Sequence, residues 1–308
     1  MEHGVLYRFV ILVAATSLLP LLSSCALAAK SNEFALGKQA GIVRSDLIRE
    51  ASGIVASRQN PGVLWVHNDS GDSARLFAIN DKGDFLGECV ITGAISRDWE
   101  DIAVGPGPDP NRQCLYIGDI GDNLAVYPEV TVYRLPEPKV DRKAPFDRMT
   151  SSPAEAIRLT YPGGPRDAEA LLVDPLTRDI FILSKRELFS KVYQAAYPQS
   201  TTQPTELKQV ASLPWGFAVA GDVSPDGRRV IVRSMFGASL WVRPAGEPLW
   251  QAFSGKQVRL PLLHEEQGEA ISFDAQGEGY FTIGEMQHPP LHYFAPAEPN
   301  ATQSTGAP

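Results

Sequence analysis

The chain repeats one short pattern five times, and this repetition constrains its fold more than any other feature. In each copy an acidic residue opens a short apolar strand, a turn rich in Pro, Gly, Asn or Asp follows, and a second strand rich in β-branched and aromatic residues comes next. The copies recur at intervals of roughly 50 residues, a period typical of four-stranded propeller blades. The acidic residues that mark them are Glu50, Glu100, Glu169, Asp222 and Glu269. The sequence therefore predicts an all-β protein, a β-propeller built from four-stranded antiparallel blades.

Five copies predict five blades, and six blades are the alternative if one further copy has lost its pattern. A third strand follows in every copy, and a fourth in most, as at 86–91 and 156–159. The fifth copy lacks a fourth strand, which the stretch 40–45 can supply from the N-terminal side. We expect this N-terminal strand to close the ring and remove its open edges. The Pro-rich, charged insertion 136–153 is predicted to be a surface loop.

Residues 1–29 are predicted to be a signal peptide. Arg8 precedes the apolar run 9–22, which is too short and too interrupted for a membrane span. Two processing sites remain open: residues 22–25 (LSSC) resemble a bacterial lipobox that would lipidate Cys25, and residues 26–28 (ALA) match an ordinary cleavage signal. Both predict an exported protein, either periplasmic or anchored to the envelope as a lipoprotein, with a lipid anchor as its only expected membrane contact.

The propeller is predicted to span residues 30–295, and the Pro-, Ala- and Thr-rich tail 296–308 to be disordered. Cys89 and Cys114 remain inside the propeller. In an oxidising compartment they form a disulfide or stay two buried free thiols, and the sequence leaves both alternatives open.

The net charge of −8, without a Lys/Arg cluster, disfavours nucleic-acid binding, which needs a basic surface to neutralise phosphates. The chain has no G-x-S-x-G, P-loop or G-x-G-x-x-G motif, so nothing indicates a serine hydrolase or a nucleotide cofactor. We expect a monomer.

The five acidic markers are predicted to converge at one mouth of the central channel. In a propeller the first strand of each blade lies nearest the axis, so residues at its start face one another. Carboxylates held this close invite a cation, and an all-oxygen ligand set suits Ca²⁺ better than Zn²⁺. All five markers are therefore candidate metal ligands. The alternative is that they bind backbone amides of neighbouring blades and fix blade orientation.

The loops after the second strands should surround the same mouth, because antiparallel neighbours reverse direction. Asp98 and Asp167, just ahead of two markers, add carboxylates there, and Asp119 and Asp122 are the candidate catalytic residues. Turn formation and solvated surface charge are the alternatives for these loops. The candidate ligand-binding residues are His67, Asn68, Asp69, Asp72, Lys185, Arg186, Arg233 and Glu285.

Four stretches together resemble exported bacterial propellers of the phytase-like and SdiA-regulated group: residues 50–54 (EASGI), 65–72 (WVHNDSGD), 98–103 (DWEDIA) and 116–123 (YIGDIGDN). The resemblance covers about residues 40–295. It implies Ca²⁺ held by carboxylates in the channel and, for the phytase members, hydrolysis of phosphate monoesters. Only the repeated Glu and Asp markers match well, and a full phytase set of calcium ligands and phosphate-binding Lys and Arg residues does not.

Two classes of function follow. The first is a calcium-binding propeller whose acidic channel mouth binds a small-molecule ligand or a protein partner. The second is a Ca²⁺-dependent phosphoesterase, in which Glu100, Glu169 and Glu269 hold the metal and Lys185 and Arg233 clamp the phosphate. In that enzyme Asp119 or Asp122 would provide the base or a second metal site. A third possibility is a purely structural Ca²⁺ that stabilises the ring of blades without catalysis, and the sequence slightly favours a binding module with such a structural metal over the enzyme.

Overall fold

The computed structural model describes residues 29–30 and 33–298. Most of the predicted signal peptide, including Cys25, and the tail from residue 299 lie outside this range. The first six strands are β1 (Ala29–Lys30), β2 (Lys38–Ile42), β3 (Ala51–Ala56), β4 (Val63–Asn68), β5 (Arg75–Asn80) and β6 (Phe85–Val90). The next five are β7 (Trp99–Pro106), β8 (Gln113–Asp119), β9 (Val130–Pro136), β10 (Arg148–Thr150) and β11 (Glu155–Thr160).

The second half of the chain continues the same succession of short strands. Five of them are β12 (Ala168–Val173), β13 (Ile180–Ser184), β14 (Lys191–Ala195), β15 (Thr205–Glu206) and β16 (Lys208–Ser212). The last seven are β17 (Ala218–Val223), β18 (Arg229–Ser234), β19 (Gly237–Val242), β20 (Val258–Leu260), β21 (Gly268–Phe273), β22 (Tyr280–Gly284) and β23 (Pro290–Phe294). A 3₁₀ helix, Leu249–Ser254, lies between β19 and β20.

These strands form five sheets arranged in a ring, so the prediction of a five-bladed propeller is confirmed. Blade 1 contains β3 to β6, blade 2 contains β7, β8, β9 and β11, and blade 3 contains β12, β13, β14 and β16. Blade 4 contains β17 to β20, and blade 5 contains β21 to β23 with β2 as its outer strand. The first strand of each blade contacts the first strand of the next, and β21 returns to contact β3.

The N-terminal strand closes the ring, as predicted, although it spans Lys38–Ile42 rather than 40–45. It pairs antiparallel with β23, and Lys38 lies opposite Tyr293. Three blades carry an extra outer strand that runs parallel to the fourth: β10 on blade 1, β15 on blade 2 and β1 on blade 4. The insertion 136–153 is therefore more than a surface loop, because its β10 covers the edge of β6.

The core is divided into five clusters, one between each pair of neighbouring blades. Every residue of β3, β12 and β17 is buried, because inner strands are covered on both faces. Cys89 lies in the cluster between blades 1 and 2, whereas Cys114 lies in the cluster between blades 2 and 3. Both are free thiols, which agrees with the second of the two alternatives, because the two side chains are buried in different inter-blade clusters. Within the described residues, no helix is long and apolar enough to cross a membrane.

Candidate functional site

Each blade has a β-bulge near the start of its first strand, and these bulges define the channel mouth. The register between the first and second strands shifts at one residue in every blade, which leaves that residue outside the ladder. The five bulge residues, from blade 1 to blade 5, are Ser52, Glu100, Glu169, Val219 and Glu269. Three of the five predicted metal ligands therefore occupy equivalent positions, and Glu50 and Asp222 do not.

Glu50 lies just before β3, two residues ahead of the bulge residue Ser52, and is exposed. Its backbone carbonyl accepts a hydrogen bond from the amide of Asp69 at 2.8 Å. Ser52 takes the equivalent position and donates its hydroxyl hydrogen to the backbone carbonyl of Glu100 at 2.7 Å. Blade 1 thus contributes no carboxylate to the ring from its first strand.

Asp222 lies three residues beyond the bulge of blade 4 and is buried among hydrogen-bond donors. Its carboxylate accepts bonds from the amides of Val223 and Phe273 and from the Ser272 hydroxyl, at 2.7 to 3.0 Å. Burial raises its pKa against the opposing effects of Arg58 and these donors. The alternative predicted for the markers, bonding to neighbouring-blade amides, therefore applies to Asp222.

Asp101, which the sequence analysis did not single out, has the same role in blade 2. It is fully buried and accepts hydrogen bonds from the amides of Leu171 at 2.9 Å and Gly221 at 3.1 Å. These donors belong to blades 3 and 4, so one carboxylate links three blades. Burial raises its pKa well above the ordinary value despite these bonds.

Lys185 is the counter-ion of the bulge carboxylates. It directly follows β13, and its ammonium group forms an ion pair with the carboxylate of Glu169. Burial lowers the pKa of Lys185, but the charges of Glu169, Glu269 and Glu100 outweigh it and the net pKa is raised. Burial also raises the pKa of Glu169 in spite of the neighbouring ammonium group. One lysine thus lies among the three bulge carboxylates.

A second group of carboxylates lies on the side of blades 1 and 2. Asp69, Asp98 and Glu100 each place one carboxylate oxygen within 4.8 Å of the other two. We call these three residues the carboxylate triad. Asp98 is positioned by the hydrogen bond that its amide donates to the Asp119 carboxylate at 2.8 Å.

The triad favours protonation or a bound cation. Burial, followed by the charge of Asp69, raises the pKa of Asp98 to about 6. Burial and the charge of Glu169 raise the pKa of Glu100 well above its ordinary value. Within the described residues, no hydrogen-bond donor contacts the Glu100 carboxylate to offset this effect.

Gly121 forms one wall of the triad. Its backbone passes so close that a methyl group there would collide with carboxylate oxygens of Glu100 and Asp98. The triad also fits a calcium ion by its dimensions: Ca²⁺ binds oxygens at about 2.3–2.6 Å, so two of its ligands lie at most about 5 Å apart. Only glycine leaves this space open beside the two carboxylates.

Two further carboxylates complete the mouth on blade 5. Burial raises the pKa of Glu269, partly opposed by Lys185. Burial, together with Asp69 and Glu269, raises the pKa of Glu285 to about 7. Gln267 donates an amide hydrogen to Glu285 at 2.9 Å, and neither glutamate forms an ion pair within the described part of the chain.

His67, Asn68 and Asp72, predicted to bind a ligand, instead stabilise the loop after β4. His67 is fully buried, packs edge-on against Trp99 and contacts the backbone carbonyl of Asn68 through Nδ1 at 2.9 Å. Burial lowers its pKa. Asn68 donates to the Asp72 carboxylate at 2.7 Å, and Asp72 forms an ion pair with Arg75 at 2.7 Å. Of this loop, Asp69 alone contributes to the triad.

The candidate catalytic residues Asp119 and Asp122 also bind backbone groups. Asp122 is buried and accepts hydrogen bonds from the amides of Val126 and Tyr127 at 2.9 and 2.8 Å. Burial raises the pKa of Asp119, whose carboxylate holds the amide of Asp98.

Asp167 and Arg186, two other predicted mouth residues, pair with each other. The carboxylate of Asp167 accepts hydrogen bonds from the Asp122 amide at 3.0 Å and from Arg186 Nε at 2.6 Å. They connect the loops of blades 2 and 3.

Arg233 is buried beneath the mouth rather than exposed to a ligand. Its Nη1 donates to the carbonyl of Ala270 at 3.1 Å and lies 2.6 Å from a carboxylate oxygen of Glu265. Glu265 also accepts hydrogen bonds from Thr282 at 2.6 Å and His292 Nδ1 at 2.7 Å. Burial raises the pKa of Glu265, but the hydrogen bond from His292 and the charge of Arg233 outweigh the effect of burial, so the net pKa is lowered. No sequence pattern marked Glu265.

Comparisons with known proteins return only distant structural similarities. No protein-family model matches the chain. No curated protein matches it either. The chain is similar to the solved Pan2 WD40 domain of Neurospora crassa, with 11% identity over 89% of this chain and 99% of that one, at a TM-score of 0.47. It is also similar to a chain of a Nidogen/Laminin complex, with 12% identity over 82% and 87% of the two chains, at a TM-score of 0.46.

These similarities are too distant to carry any argument about function. The propeller is established by the closed succession of first strands in this chain. Membership of the phytase-like and SdiA-regulated group stays a prediction.

Proposed function

We propose that this protein is a calcium-binding β-propeller whose acidic channel mouth holds Ca²⁺ and binds a ligand or partner there. The observation that carries the proposal is the carboxylate triad, in which three oxygens from two blades lie within 4.8 Å of one another. Ca²⁺ prefers carboxylate and carbonyl oxygens, and no sulfur or imidazole belongs to the triad.

The proposed ligand set differs from the five markers. Glu100 is retained, and Asp69 and Asp98 replace Glu50 and Asp222. Glu169 forms an ion pair with the ammonium group of Lys185, which supplies a cation within the protein. The triad lies beside this lysine but does not form an ion pair with it, so it has more need of an external cation.

Phosphomonoester hydrolysis is the weaker alternative. It requires Lys185 and Arg233 to clamp a phosphate, but these cations are paired with Glu169 and Glu265. It also requires a base, and the candidate bases Asp119 and Asp122 hold backbone amides. Calcium would supply Lewis acidity if bound. Because no observation favours the enzyme over the binding module, we propose binding without catalysis.

The test is thermal unfolding of the purified protein with EDTA and then with millimolar Ca²⁺. A hundredfold excess over Kd adds about 2.7 kcal/mol to the unfolding free energy, which raises Tm by about 5–10 °C in a domain of this size. We expect Asp98→Asn to abolish the rise. Glu285→Gln removes a charge from the same mouth outside the triad and should preserve it. Equal loss in both variants, or no rise in the wild type, would contradict the proposal.

Export remains part of the proposal. The resemblance of residues 22–25 to a lipobox supports an envelope lipoprotein anchored through Cys25. We expect the wild type to fractionate with membranes and Cys25→Ser to be released. Wild-type protein in the soluble periplasmic fraction would instead support cleavage after residue 28.

A further inference from the structure

The exposed apolar residues are concentrated on the face that carries the channel mouth. Among the described residues, ten of the fourteen exposed large hydrophobic side chains lie in loops of this face. A contiguous group covers blades 3 and 4: Leu188, Phe189, Phe217, Met235 and Phe236. We call this group the apolar rim. Clustered apolar exposure of this kind marks interaction surfaces, whereas isolated exposed residues do not.

Backbone hydrogen bonds hold the rim loops together. The amide of Phe217 donates to the carbonyl of Lys185 at 2.8 Å, and the amide of Met235 donates to the carbonyl of Phe217 at 3.2 Å. The rings of Phe217 and Phe236 pack edge-on, with centroids 5.8 Å apart. The rim is therefore continuous with the loop that places Lys185 in the ring.

Phe217 has an unusual backbone conformation for an exposed aromatic residue. Its φ of 64° lies in the left-handed region, which is strained for a bulky residue. The residue is nevertheless 39% exposed, so part of this strained aromatic residue stays in contact with solvent. Phe217 therefore presents part of an aromatic residue on the face of the mouth.

The charge of the same face selects the kind of partner. Glu269 and Glu285 lack ion-pair partners within the described part of the chain, so their carboxylates are the charges that a partner can neutralise when Ca²⁺ occupies the triad. A membrane surface is anionic and attracts basic proteins, so an acidic face is repelled by it. A second copy would bring two acidic mouths together. A basic protein surface that also carries apolar residues complements both the acidic mouth and the apolar rim.

We propose that this face docks a protein partner that inserts a Lys or Arg side chain toward Glu269 and Glu285 while adjacent apolar residues cover the apolar rim. The inference rests on the proposed function in placing the partner at the channel mouth, and it names the partner's chemistry. The calcium site occupies the triad on blades 1 and 2, so the two glutamates of blade 5 remain available to the basic side chain.

The experiment is selection of a random 12-residue peptide library, displayed on phage, against the immobilised protein in Ca²⁺ and in EDTA. We expect enrichment of peptides with a Lys or Arg flanked by apolar residues. Selected peptides should bind more than tenfold more weakly to Met235→Ser/Phe236→Ser and to Glu269→Gln/Glu285→Gln. Leu176→Ser, an exposed apolar residue on the opposite face, is the matched control and should bind as the wild type.

Three results would overturn the proposal: no enrichment, enrichment without basic residues, or unchanged binding by both double variants. Sedimentation with phosphatidylcholine–phosphatidylglycerol vesicles, lost in Met235→Ser/Phe236→Ser, would instead identify a membrane as the occupant. Titration of Ca²⁺ by calorimetry on the same preparations separates the two proposals. Peptide binding without Ca²⁺ binding would refute the calcium site alone, and the reverse would refute the partner alone.

Discussion

Glu100 and Asp101 are neighbours in β7, yet their carboxylates lie in opposite environments. Asp101 is fully buried and accepts backbone hydrogen bonds from blades 3 and 4. Glu100, on the bulge, faces other carboxylates and has no hydrogen-bond donor within the described residues. Both pKa values are raised by burial. The difference lies in the donors: Asp101 stabilises the ring of blades, whereas Glu100 needs a proton or a cation.

The largest expected effect comes from removing the buried carboxylate. Asp101→Ala leaves the amides of Leu171 and Gly221 without acceptors inside the core. Each unsatisfied buried donor costs about 1–3 kcal/mol, so we expect the unfolding free energy to fall by about 4 kcal/mol. Urea denaturation measures this change. A loss below about 1 kcal/mol would show that Asp101 does not hold the blades together.

Gly121→Ala tests the mouth without changing its charge. The added methyl group displaces the carboxylates of Glu100 and Asp98, whose flexible ends can move without unfolding the protein. We expect the Kd for Ca²⁺ to rise about tenfold or more, because affinity depends on ligand arrangement. Calorimetric titration measures it, with Gly237→Ala on blade 4 as the control, where an added methyl group meets nothing closer than 3.7 Å and φ is not positive. Unchanged affinity would place the calcium elsewhere.

The sequence was sufficient to predict the fold. The repeat and its spacing correspond to the five blades, and the outer strand that the fifth copy lacks is supplied by β2. The sequence located three of the five mouth positions. The other two were misassigned because the acidic residues were aligned by charge, whereas the equivalent positions are set by bulges at Ser52 and Val219. A bulge depends on strand register, which a single sequence does not show. The partners of Lys185 and Arg233 were missed for the same reason, since Glu169 and Glu265 approach them only in the folded ring.

Replacing a mouth carboxylate should stabilise the protein in the absence of Ca²⁺, whereas Asp101→Ala should destabilise it. In EDTA, Glu100→Gln relieves repulsion from Asp69, Asp98 and Glu169 and removes a poorly solvated charge. We expect the unfolding free energy at neutral pH to rise by about 1 kcal/mol. With saturating Ca²⁺ the wild type should regain the advantage, because the variant loses a ligand. Destabilisation in EDTA would mean that Glu100 is a structural residue like Asp101.

The smallest expected effect is the pH dependence of the unfolding free energy that arises from the mouth carboxylates. Asp98 and Glu285 have folded-state pKa values of about 6 and about 7, above their ordinary values of 3.8 and 4.5. The folded protein therefore binds more protons than the unfolded chain between about pH 4 and 7. Without Ca²⁺ the contribution of these groups is fully present below pH 4 and is lost as the pH rises toward 7.

Calcium competes with the proton on Asp98, so the Ca²⁺-induced rise in Tm should grow as the pH increases through about 6. His67 acts in the opposite direction, because its lowered pKa makes folding more favourable as the pH rises toward its ordinary value of 6.5. The wild type and the Asp98→Asn/Glu285→Gln variant both contain His67. The difference between their stabilities therefore excludes the contribution of this histidine. Tm is measured with and without Ca²⁺ from about pH 4.5 to 8. These data give the pH dependence of stability without Ca²⁺ and the pH dependence of the Ca²⁺-induced rise. A calcium shift independent of pH would mean that the ion does not bind at Asp98.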